Sequence, residues 1–387
     1  MGLAKKLLME YEARGYGKVP NKYVCHHCFD EKGLSNFIKK NGKQGLCSYC
    51  GKKTDVLDLE IVIKHIISSI SNEWQDPVEN SPYESAEGGY LNNYQFDIWD
   101  LLSEQEPINA VSQTLFEDIY STINTNLWAR PFAEPFKEQH LLEEWDKFIY
   151  RVKHKLRFTI FSENNNNTYY PIEQVAKIIS DLKFEQICND KIYRIRITNN
   201  KQNLNSASEM GTVPIEYALQ ANRMSPVGIA MFYGAFDEQT AVDEVLNSNK
   251  NNCNIYIHTA TFIASRPLNL ISLPSKLEIP SIYDEVKGDK RPYYIFMQSF
   301  IDWFARPIDR DGKEEHLEYI PTQIITEYLR YNYTINNKPI DGIIYKSSVG
   351  SGKSVVLFIQ NDQCVDNDWN IKKNFKDKLY LKMINYK

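Results

Sequence analysis

The chain has 387 residues, more than one ordinary hydrophobic core accommodates, so we expect two or three domains. Hydrophobic residues make up 42% and charged residues 25%, as in ordinary globular proteins, and no apolar run is long enough to cross a bilayer. The formal net charge of -5 disfavours a nucleic-acid partner, because such proteins need excess Lys and Arg to displace counterions. We therefore predict a soluble protein with no membrane association.

The N-terminus and the cysteines indicate a compartment. The first residues lead into a charged amphipathic stretch and lack the apolar core and cleavage site of a secretory signal. Four of the seven cysteines form two close pairs, which fits a reducing compartment and a bound metal better than a disulfide framework. We expect a cytoplasmic protein.

Helical patterns fill the first half of the chain. Residues 3–14 predict a short helix that ends at Gly15, and Asp55–Trp74 carries apolar residues at helical spacing, with Asp55 as its cap. Further helical patterns lie at 95–103, 109–125, 138–157 and 171–182. Pro171 stands in the first turn of the last one, where proline is tolerated. The middle of the chain is thus predicted to be all helical.

Beyond Asn189, short segments rich in Ile, Val, Tyr and Phe replace the helical patterns. The predicted strands are Ile192–Ile197, Ala230–Ala235, Cys253–Thr261, Tyr293–Gln298, Ile343–Ser347 and Val355–Gln360. Short helices are predicted between them at Asp237–Leu246 and Thr322–Tyr333. The predicted domains are a cysteine module (1–54), a helical domain (55–187) and an α+β domain (188–387).

The two cysteine pairs are Cys25 with Cys28 and Cys47 with Cys50, and eighteen residues lie between the pairs. Each pair, placed on a tight turn, can occupy two corners of a zinc tetrahedron. The spacing therefore predicts a closed, structural Zn²⁺ site that folds a small module and takes no part in catalysis. His26 and His27, inside the first pair, are alternative ligands that we expect to be exposed instead.

Polar residues of several types are predicted to converge in the second half. Arg223 precedes a Ser-Pro turn, and Tyr233 lies in the strand that follows. Asp237 is placed to cap a helix that bears Thr240 and Glu244 one turn apart on one face. By residue type alone, the set fits a structural ion pair and a core tyrosine as well as a functional site.

Three segments resemble the RES domain family, which is named for its arginine, glutamate and serine. They are Tyr193–Arg196, Ala221–Glu244 and Asp341–Ser348. The matching elements are an Arg-x-x-Pro-x-Gly turn, a Phe-Tyr pair, a Thr-Ala-x-x-Glu helix and a Gly-Ile-x-Tyr-x-Ser strand. Glu209–Gly211 and Tyr319–Gln323 resemble further elements of RES proteins that carry an N-terminal extension.

The first half resembles the HEPN-like N-terminal domain found fused to RES domains, through its cysteine pairs and the segments Trp145–Phe148 and Val152–His154. The resemblance implies a multi-domain fold: a zinc knuckle, an all-α HEPN-like domain, and an α+β RES domain similar to ADP-ribosyltransferases. Arg151 and His154 are too close together for the Arg and His of HEPN nucleases, so we interpret the helical domain as a noncatalytic scaffold.

The resemblance to RES domains implies a toxin-like or antiviral defence enzyme that degrades NAD by hydrolysis or phosphorolysis of the nicotinamide–ribose bond. Nicotinamide leaves as a neutral molecule, so a single carboxylate can suffice. Glu244 would be that carboxylate and would stabilise an oxocarbenium-like transition state. NAD is then a substrate, and Zn²⁺ is the one expected cofactor.

The resemblance also implies roles for other residues. Arg194 and Arg223 suit the pyrophosphate of NAD, which a guanidinium binds in fork geometry. Arg196 is an alternative to Arg194, because residues two apart on a strand share a face. Tyr233 is expected to pack on the nicotinamide or ribose.

Ser347 is expected to orient the nicotinamide amide and is preferred to Ser348 by its position after the strand tyrosine. The other residues assigned to substrate binding are Tyr193, Thr240, Gln323 and Tyr345. The segment Ser347–Ser354 also nearly spells a P-loop. A P-loop runs from a strand into a helix, whereas a strand pattern follows here, so we predict a β-hairpin turn.

Two other functions remain open from the sequence: ADP-ribosyl transfer to a macromolecule, and a noncatalytic zinc-containing interaction module whose RES-like half is inert. An unrestrained NAD hydrolase kills its own cell. We therefore expect control by an antitoxin or activator protein, by an infection signal, or by assembly into a homo-oligomer. The residue types do not distinguish water from phosphate as the acceptor.

Overall fold

The computed structural model describes residues 3–76, 83–86, 89–90, 95–97, 110–123, 127–129, 136–158, 166–179, 184–187, 189–247, 255–305, 315–335, 337–347, 349–367 and 380–386. The chain divides into two units. The first comprises Met1–His140 and Glu278–Ile295, and the second comprises Leu141–Leu277 and Phe296–Lys387. Within the described ranges, no helix combines the length and the apolar character that a bilayer crossing requires.

The first unit begins with helix α1 (Leu3–Arg14), which ends at Gly15 with a φ of 79°. A three-stranded antiparallel sheet with the order β1-β3-β2 follows. Its strands are β1 (Tyr23–Cys25), β2 (Lys43–Leu46) and β3 (Lys53–Asp58), with helix α2 (Lys32–Asn41) between β1 and β2. The predicted first helix is confirmed.

Helix α3 spans Leu59–Ile70 and starts later than its apolar pattern indicated. Its N-cap is Asp58, whose carboxylate accepts the Glu60 N–H at 2.8 Å, so the predicted cap at Asp55 is wrong. Asp55 lies in β3, where it pairs with Gln44. Strand pairing on both sides therefore overrides the local helical pattern before residue 59.

The middle of the chain contains strands as well as helices. β4 (Tyr83–Glu84) pairs antiparallel with β5 (Gly89–Tyr90). β6 (Gln95–Asp97) pairs antiparallel with β7 (Leu127–Ala129), and helix α4 (Ala110–Thr122) lies between them in sequence. The predicted helix at 95–103 is therefore wrong at its first three residues, and residues 98–103 lie outside the described part. The predicted helix at 109–125 is confirmed as α4.

The cysteine-bearing segment shares one hydrophobic core with α3 and α4. Cys25, Cys28 and Cys47 are buried in it with side chains such as Ile63 and Leu115. The segment 278–295 joins the same unit: Tyr283 enters the core, His65 Nε2 lies 2.8 Å from the Tyr283 carbonyl, and Arg291 Nη1 lies 2.9 Å from a buried Glu73 carboxylate. The sheet, the helices and this distant segment thus pack as one body.

The second unit is built on a nine-stranded mixed sheet with the order β17-β18-β11-β9-β10-β16-β15-β12-β8. β12 pairs parallel with β15, and β17 pairs parallel with β18, whereas the other neighbours are antiparallel. The strands are β8 (Phe184–Ile187), β9 (Ile192–Thr198), β10 (Phe232–Ala235), β11 (Tyr256–Ala264), β12 (Leu268–Ser272), β15 (Gly342–Lys346), β16 (Lys353–Leu357), β17 (Cys364–Asp366) and β18 (Leu381–Tyr386), with a separate hairpin of β13 (Thr334–Ile335) and β14 (Lys338–Pro339).

Helices precede the sheet and lie between its strands in sequence. They are α5 (Lys137–His154), α6 (Asn166–Ile179), α7 (Ala207–Met210), α8 (Glu238–Asn247), α9 (Arg291–Ala305), α10 (Glu315–Glu318) and α11 (Ile320–Asn332). Pro171 lies inside α6 and not in its first turn, because the helix begins five residues earlier than predicted. The other helices predicted in this half, α8 and α11, are confirmed within two residues at each end.

The predicted strand at Tyr293–Gln298 is wrong, because these residues belong to α9. Phe296, Phe300 and Phe304 are all buried and recur every four residues, which is the spacing of one helix face. The aromatic richness that favoured a strand thus reflects a buried helix face. A continuous apolar run does not by itself distinguish the two structures.

Candidate functional site

The four paired cysteines meet in the first unit. Their Sγ atoms lie within 4.8 Å of one another, with distances of 3.7 Å for Cys25–Cys28, 3.4 Å for Cys25–Cys50 and 3.6 Å for Cys28–Cys47. A tetrahedron with Zn–S bonds of about 2.3 Å has sulfur–sulfur edges of about 3.8 Å, whereas a disulfide bond measures about 2.0 Å. The cluster therefore has the dimensions of a metal site, and it can hold a metal ion.

Two tight turns build this cluster. Cys25 and Cys28 flank a 3-10 turn, and Gly51, after the second pair, has a φ of 68° that favours glycine. Burial raises the pKa of Cys25 to about 11 and also raises the pKa of Cys28, so without a cation these groups remain protonated thiols. His27 is exposed, as predicted, whereas His26 is half-buried, and neither belongs to the cluster.

Helix α8 positions Glu244 in the second unit. Asp237 caps the helix as predicted, because its carboxylate accepts the Thr240 N–H at 2.7 Å. Thr240 is buried, and its Oγ1 accepts the Gly352 N–H at 3.2 Å. These contacts hold the start of α8 against the turn between β15 and β16.

The Glu244 carboxylate is bound by two serines. Its Oε1 accepts a hydrogen bond from Ser347 Oγ at 2.7 Å and another from Ser354 Oγ at 3.1 Å. Ser347 Oγ also accepts the Gly350 N–H at 2.8 Å, so its own proton is directed to Glu244. Ser348, the alternative to Ser347, lies outside the described residues.

Ser354 was not predicted as a site residue. The sequence offers one indication of its role, because Ser354 is a polar residue directly before the apolar residues Val355 and Val356. The turn that separates the two serines is the predicted hairpin: β15 and β16 pair from Gly342 opposite Leu357 to Lys346 opposite Lys353. The segment is therefore a hairpin and not a P-loop.

Tyr345 adjoins the Glu244 carboxylate, and Tyr233 in turn adjoins Tyr345. Burial raises the pKa of Tyr233 to about 12, and its hydroxyl lies 2.9 Å from Ser225 Oγ. Burial, followed by the charge of Glu244, raises the pKa of Tyr345, whose ring meets Phe304 edge-on at 6.5 Å. Both phenols therefore stay protonated at neutral pH.

The turn that bears Arg223 is fixed by α11. Arg223 Nη1 donates to the Phe304 carbonyl at 2.6 Å, and the Arg223 carbonyl accepts from Thr322 Oγ1 at 2.5 Å. Gln323 Nε2 donates to the carbonyls of Asn222 at 2.8 Å and Ser225 at 3.3 Å. Gln323 and Thr322 thus hold this turn in the structure. Gln323 was predicted to bind substrate, whereas Thr322 was not predicted as a site residue.

Arg194 and Arg196 lie at the junction of β9 and β10. Arg194 Nε donates to the carbonyls of Met210 and Gly211 at 3.0 Å each, and its Nη1 donates to the Tyr233 carbonyl. Arg196 Nη2 donates to the same Gly211 carbonyl at 2.7 Å, as residues on one face of a strand can. Burial, then the charge of Arg196, lowers the pKa of Arg194 to about 9.

Two family models match the chain. One, described as HEPN/RES N-terminal domain 1, matches residues 40–166, and the other, described as RES domain, matches residues 191–372. The chain is a RES-domain protein. Its HEPN/RES N-terminal domain precedes the RES domain, so the family inferred from the motifs is confirmed. No curated protein and no solved structure matches it.

All the residues assigned to catalysis or substrate binding lie within the RES domain, but the structure gathers them unequally. Glu244, Ser347 and Thr240 belong to one hydrogen-bonded group, and Tyr345 adjoins it through the charge of Glu244. Tyr233 and Arg223 lie near Tyr345. Arg194 reaches the group through the Tyr233 backbone. Arg196 contacts the Gly211 carbonyl, and Tyr193 packs against Ile195, Ala235 and Ala241 in the core beneath α8.

Proposed function

We propose that the RES domain degrades NAD by cleaving the bond between nicotinamide and ribose. The observation that carries this proposal is the Glu244 carboxylate, which Ser347 and Ser354 hold beside the protonated Tyr345. A fixed negative charge stabilises a positive charge that develops on the ribose only in the transition state. Membership of the RES family supports NAD as the substrate and a toxin-like role.

The residue types fit this chemistry. Nicotinamide leaves from a cationic pyridinium as a neutral molecule, so its departure needs no general acid. One carboxylate then suffices, in contrast to the carboxylate pair of most glycosidases. Tyr233 and Tyr345, as protonated phenols, offer aromatic faces and hydroxyl donors to the nicotinamide riboside half of NAD.

The arginines at the β9–β10 junction fit the pyrophosphate. Among the described residues, no carboxylate forms an ion pair with Arg194 or Arg196, although burial lowers the pKa of both. An anion that binds there would favour the charged guanidinium groups. Arg223, on its fixed turn, also lies near Tyr233 and would contribute to the same anion site.

We further propose that the cysteine cluster holds Zn²⁺ as a structural ion. Four sulfur ligands close the coordination sphere, and Cys25, Cys28 and Cys47 are part of the core of the first unit. The metal would therefore stabilise that unit and take no part in NAD cleavage. The proposal also includes three further properties. They are control of the enzyme by an antitoxin or activator protein, a homo-oligomeric state and a cytoplasmic location.

The test is nicotinamide release from NAD by the purified full chain, with and without inorganic phosphate. We expect release by the wild type, ADP-ribose as the product of hydrolysis or its 1″-phosphate as the product of phosphorolysis, and loss of activity in Glu244→Gln. Asp243→Asn, on the same helix, is the matched control and should remain active. NAD levels in cells that express the chain give a second readout that includes any cellular activator.

The other outcomes distinguish the alternatives. Adenylate label from NAD that appears on protein or nucleic acid would indicate ADP-ribosyl transfer. Stoichiometric binding of a partner without turnover, unchanged in Glu244→Gln, would indicate an interaction module. Undiminished nicotinamide release by Glu244→Gln would contradict the role given to Glu244.

A further inference from the structure

Ser354 is a buried hydroxyl in an otherwise apolar stretch of strand. It is 2% exposed, and Val355, Val356 and Leu357 after it are fully buried. A hydroxyl buried without a hydrogen-bond partner is unfavourable, so a serine at this position needs one. Its partner is Glu244 Oε1.

The two serines that bind Glu244 are supported differently. Ser347 belongs to the hairpin turn, where its orientation depends on the N–H groups of Val349 and Gly350. Ser354 lies inside the sheet, paired with Tyr345 of β15 on one side and with Ala235 of β10 on the other. Ser354 therefore ties the carboxylate directly to the sheet, independently of the turn.

Ser354 also lies beside an aromatic side chain of the site. It is the cross-strand partner of Tyr345, and its side chain opposes the larger effect of burial on the pKa of that tyrosine. Directly opposed residues on neighbouring antiparallel strands point to the same face of the sheet. Tyr345 and Ser354, which is hydrogen-bonded to Glu244, therefore lie together on one face.

We propose that Ser354 is a positioning residue, whose hydroxyl holds the Glu244 carboxylate in the orientation that the reaction needs. The inference rests on the proposed NAD cleavage but requires no contact between Ser354 and NAD. The alternative is that Ser354 only fills space in the core and has no effect on catalysis. The two differ in their effect on turnover, because a misoriented carboxylate lowers kcat while substrate binding is unchanged.

The experiment compares NAD cleavage by the wild type, Ser354→Ala, Ser354→Cys and the control Thr259→Val. Thr259 is a buried hydroxyl in β11 of the same sheet, which β9 and β10 separate from the strand that bears Ser354. We expect Ser354→Ala to lower kcat about ten- to hundredfold with KM within about twofold. Ser354→Cys, which keeps the size and a weak donor, should recover part of the rate. Thr259→Val should match the wild type.

Each outcome has one interpretation. A kcat of Ser354→Ala within about twofold of Thr259→Val, or a raised KM at unchanged kcat, overturns the positioning role while NAD cleavage stands. A wild type that releases no nicotinamide when purified and does not lower the NAD level of cells that express it overturns the NAD cleavage itself. If Ser354→Ala melts below the assay temperature, Ser354→Cys and Ser354→Gly are compared below their melting temperatures. A Ser354→Cys variant that is faster than Ser354→Gly supports the positioning role. Equal rates for these two variants overturn the positioning role.

Discussion

The cysteine cluster and the Glu244 group are both small sets of polar side chains, but they are assembled over different lengths of chain. Cys25 and Cys50 are 25 positions apart, whereas Glu244 and Ser354 are 110 apart. The cysteines meet through two local turns. Glu244 meets its serines only because α8 packs on a sheet whose strands come from distant parts of the sequence.

This difference has a consequence for stability and activity. The cysteines are part of the core of the first unit, so their loss should primarily affect folding. The Glu244 group lies on a sheet with its own apolar core, so changes to its polar atoms should primarily affect turnover. Substitutions at each place can separate the two effects.

The largest effect is expected at the metal cluster. Cys28→Ser should abolish stoichiometric metal binding and unfold the first unit, because structural zinc contributes about 10 kcal/mol or more to the folding of small modules. Metal content by mass spectrometry and limited proteolysis measure the two changes. His27→Ala is the matched control, since His27 is exposed in the same turn. Retention of one tightly bound metal per chain in Cys28→Ser would contradict the four-cysteine site.

The next effect is expected at Glu244. Glu244→Gln should lower kcat about 100- to 1000-fold, the usual result of removing one preorganised electrostatic contact. The melting temperature should stay within about 2 °C of the wild type, since the amide can still accept the two serine hydroxyls. A large loss of stability would show that the group has a structural role as well.

A third substitution tests how far the sheet supports the site. The Asp341 carboxylate, which is buried just before β15, binds Arg266 with two contacts of 2.7 and 2.8 Å and accepts the Asn269 N–H. Asp341→Asn should destabilise the protein by about 2 to 3 kcal/mol in urea unfolding, because it removes the negative charge from a half-buried ion pair.

The matched control for Asp341 is an exposed pair. Lys32 and Glu278 lie 4.0 Å apart with both side chains largely in solvent, so Glu278→Gln should change the unfolding free energy by less than about 0.5 kcal/mol. Equal effects of the two substitutions would contradict a special role for the buried pair.

The smallest effect is expected at the hairpin turn. A Cβ at Gly352 would come within 2.1 Å of Asp237 Oδ2 and 2.4 Å of Thr240 Oγ1. Gly352→Ala should therefore displace the turn from the start of α8, cost about 1 to 3 kcal/mol of stability and lower kcat through Ser347. At Gly33 a Cβ would meet the Ser281 side chain, with Oγ at 2.4 Å and Cβ at 2.9 Å, so Gly33→Ala is a control for a crowded glycine away from the site. An unchanged kcat in Gly352→Ala would show that the position of the turn does not affect the reaction.

Much of the local structure could be predicted from the sequence. The two turns of the cysteine cluster, the Asp237 cap and the hairpin between β15 and β16 each depend on residues only a few positions apart. The RES motifs also identified the family. The domain boundaries and the roles of the pocket residues stay predictions.

What the sequence by itself determined, then, is which residues form local turns, caps and helix faces, and which family the chain belongs to. Tertiary structure decided the rest. Residues 53–58 became a strand because two neighbouring strands pair with them, and Phe296, Phe300 and Phe304 became a buried helix face. The approach of Ser354 to Glu244 depends on the register of β16 between β10 and β15, and register is a property of strand pairing that no short segment contains.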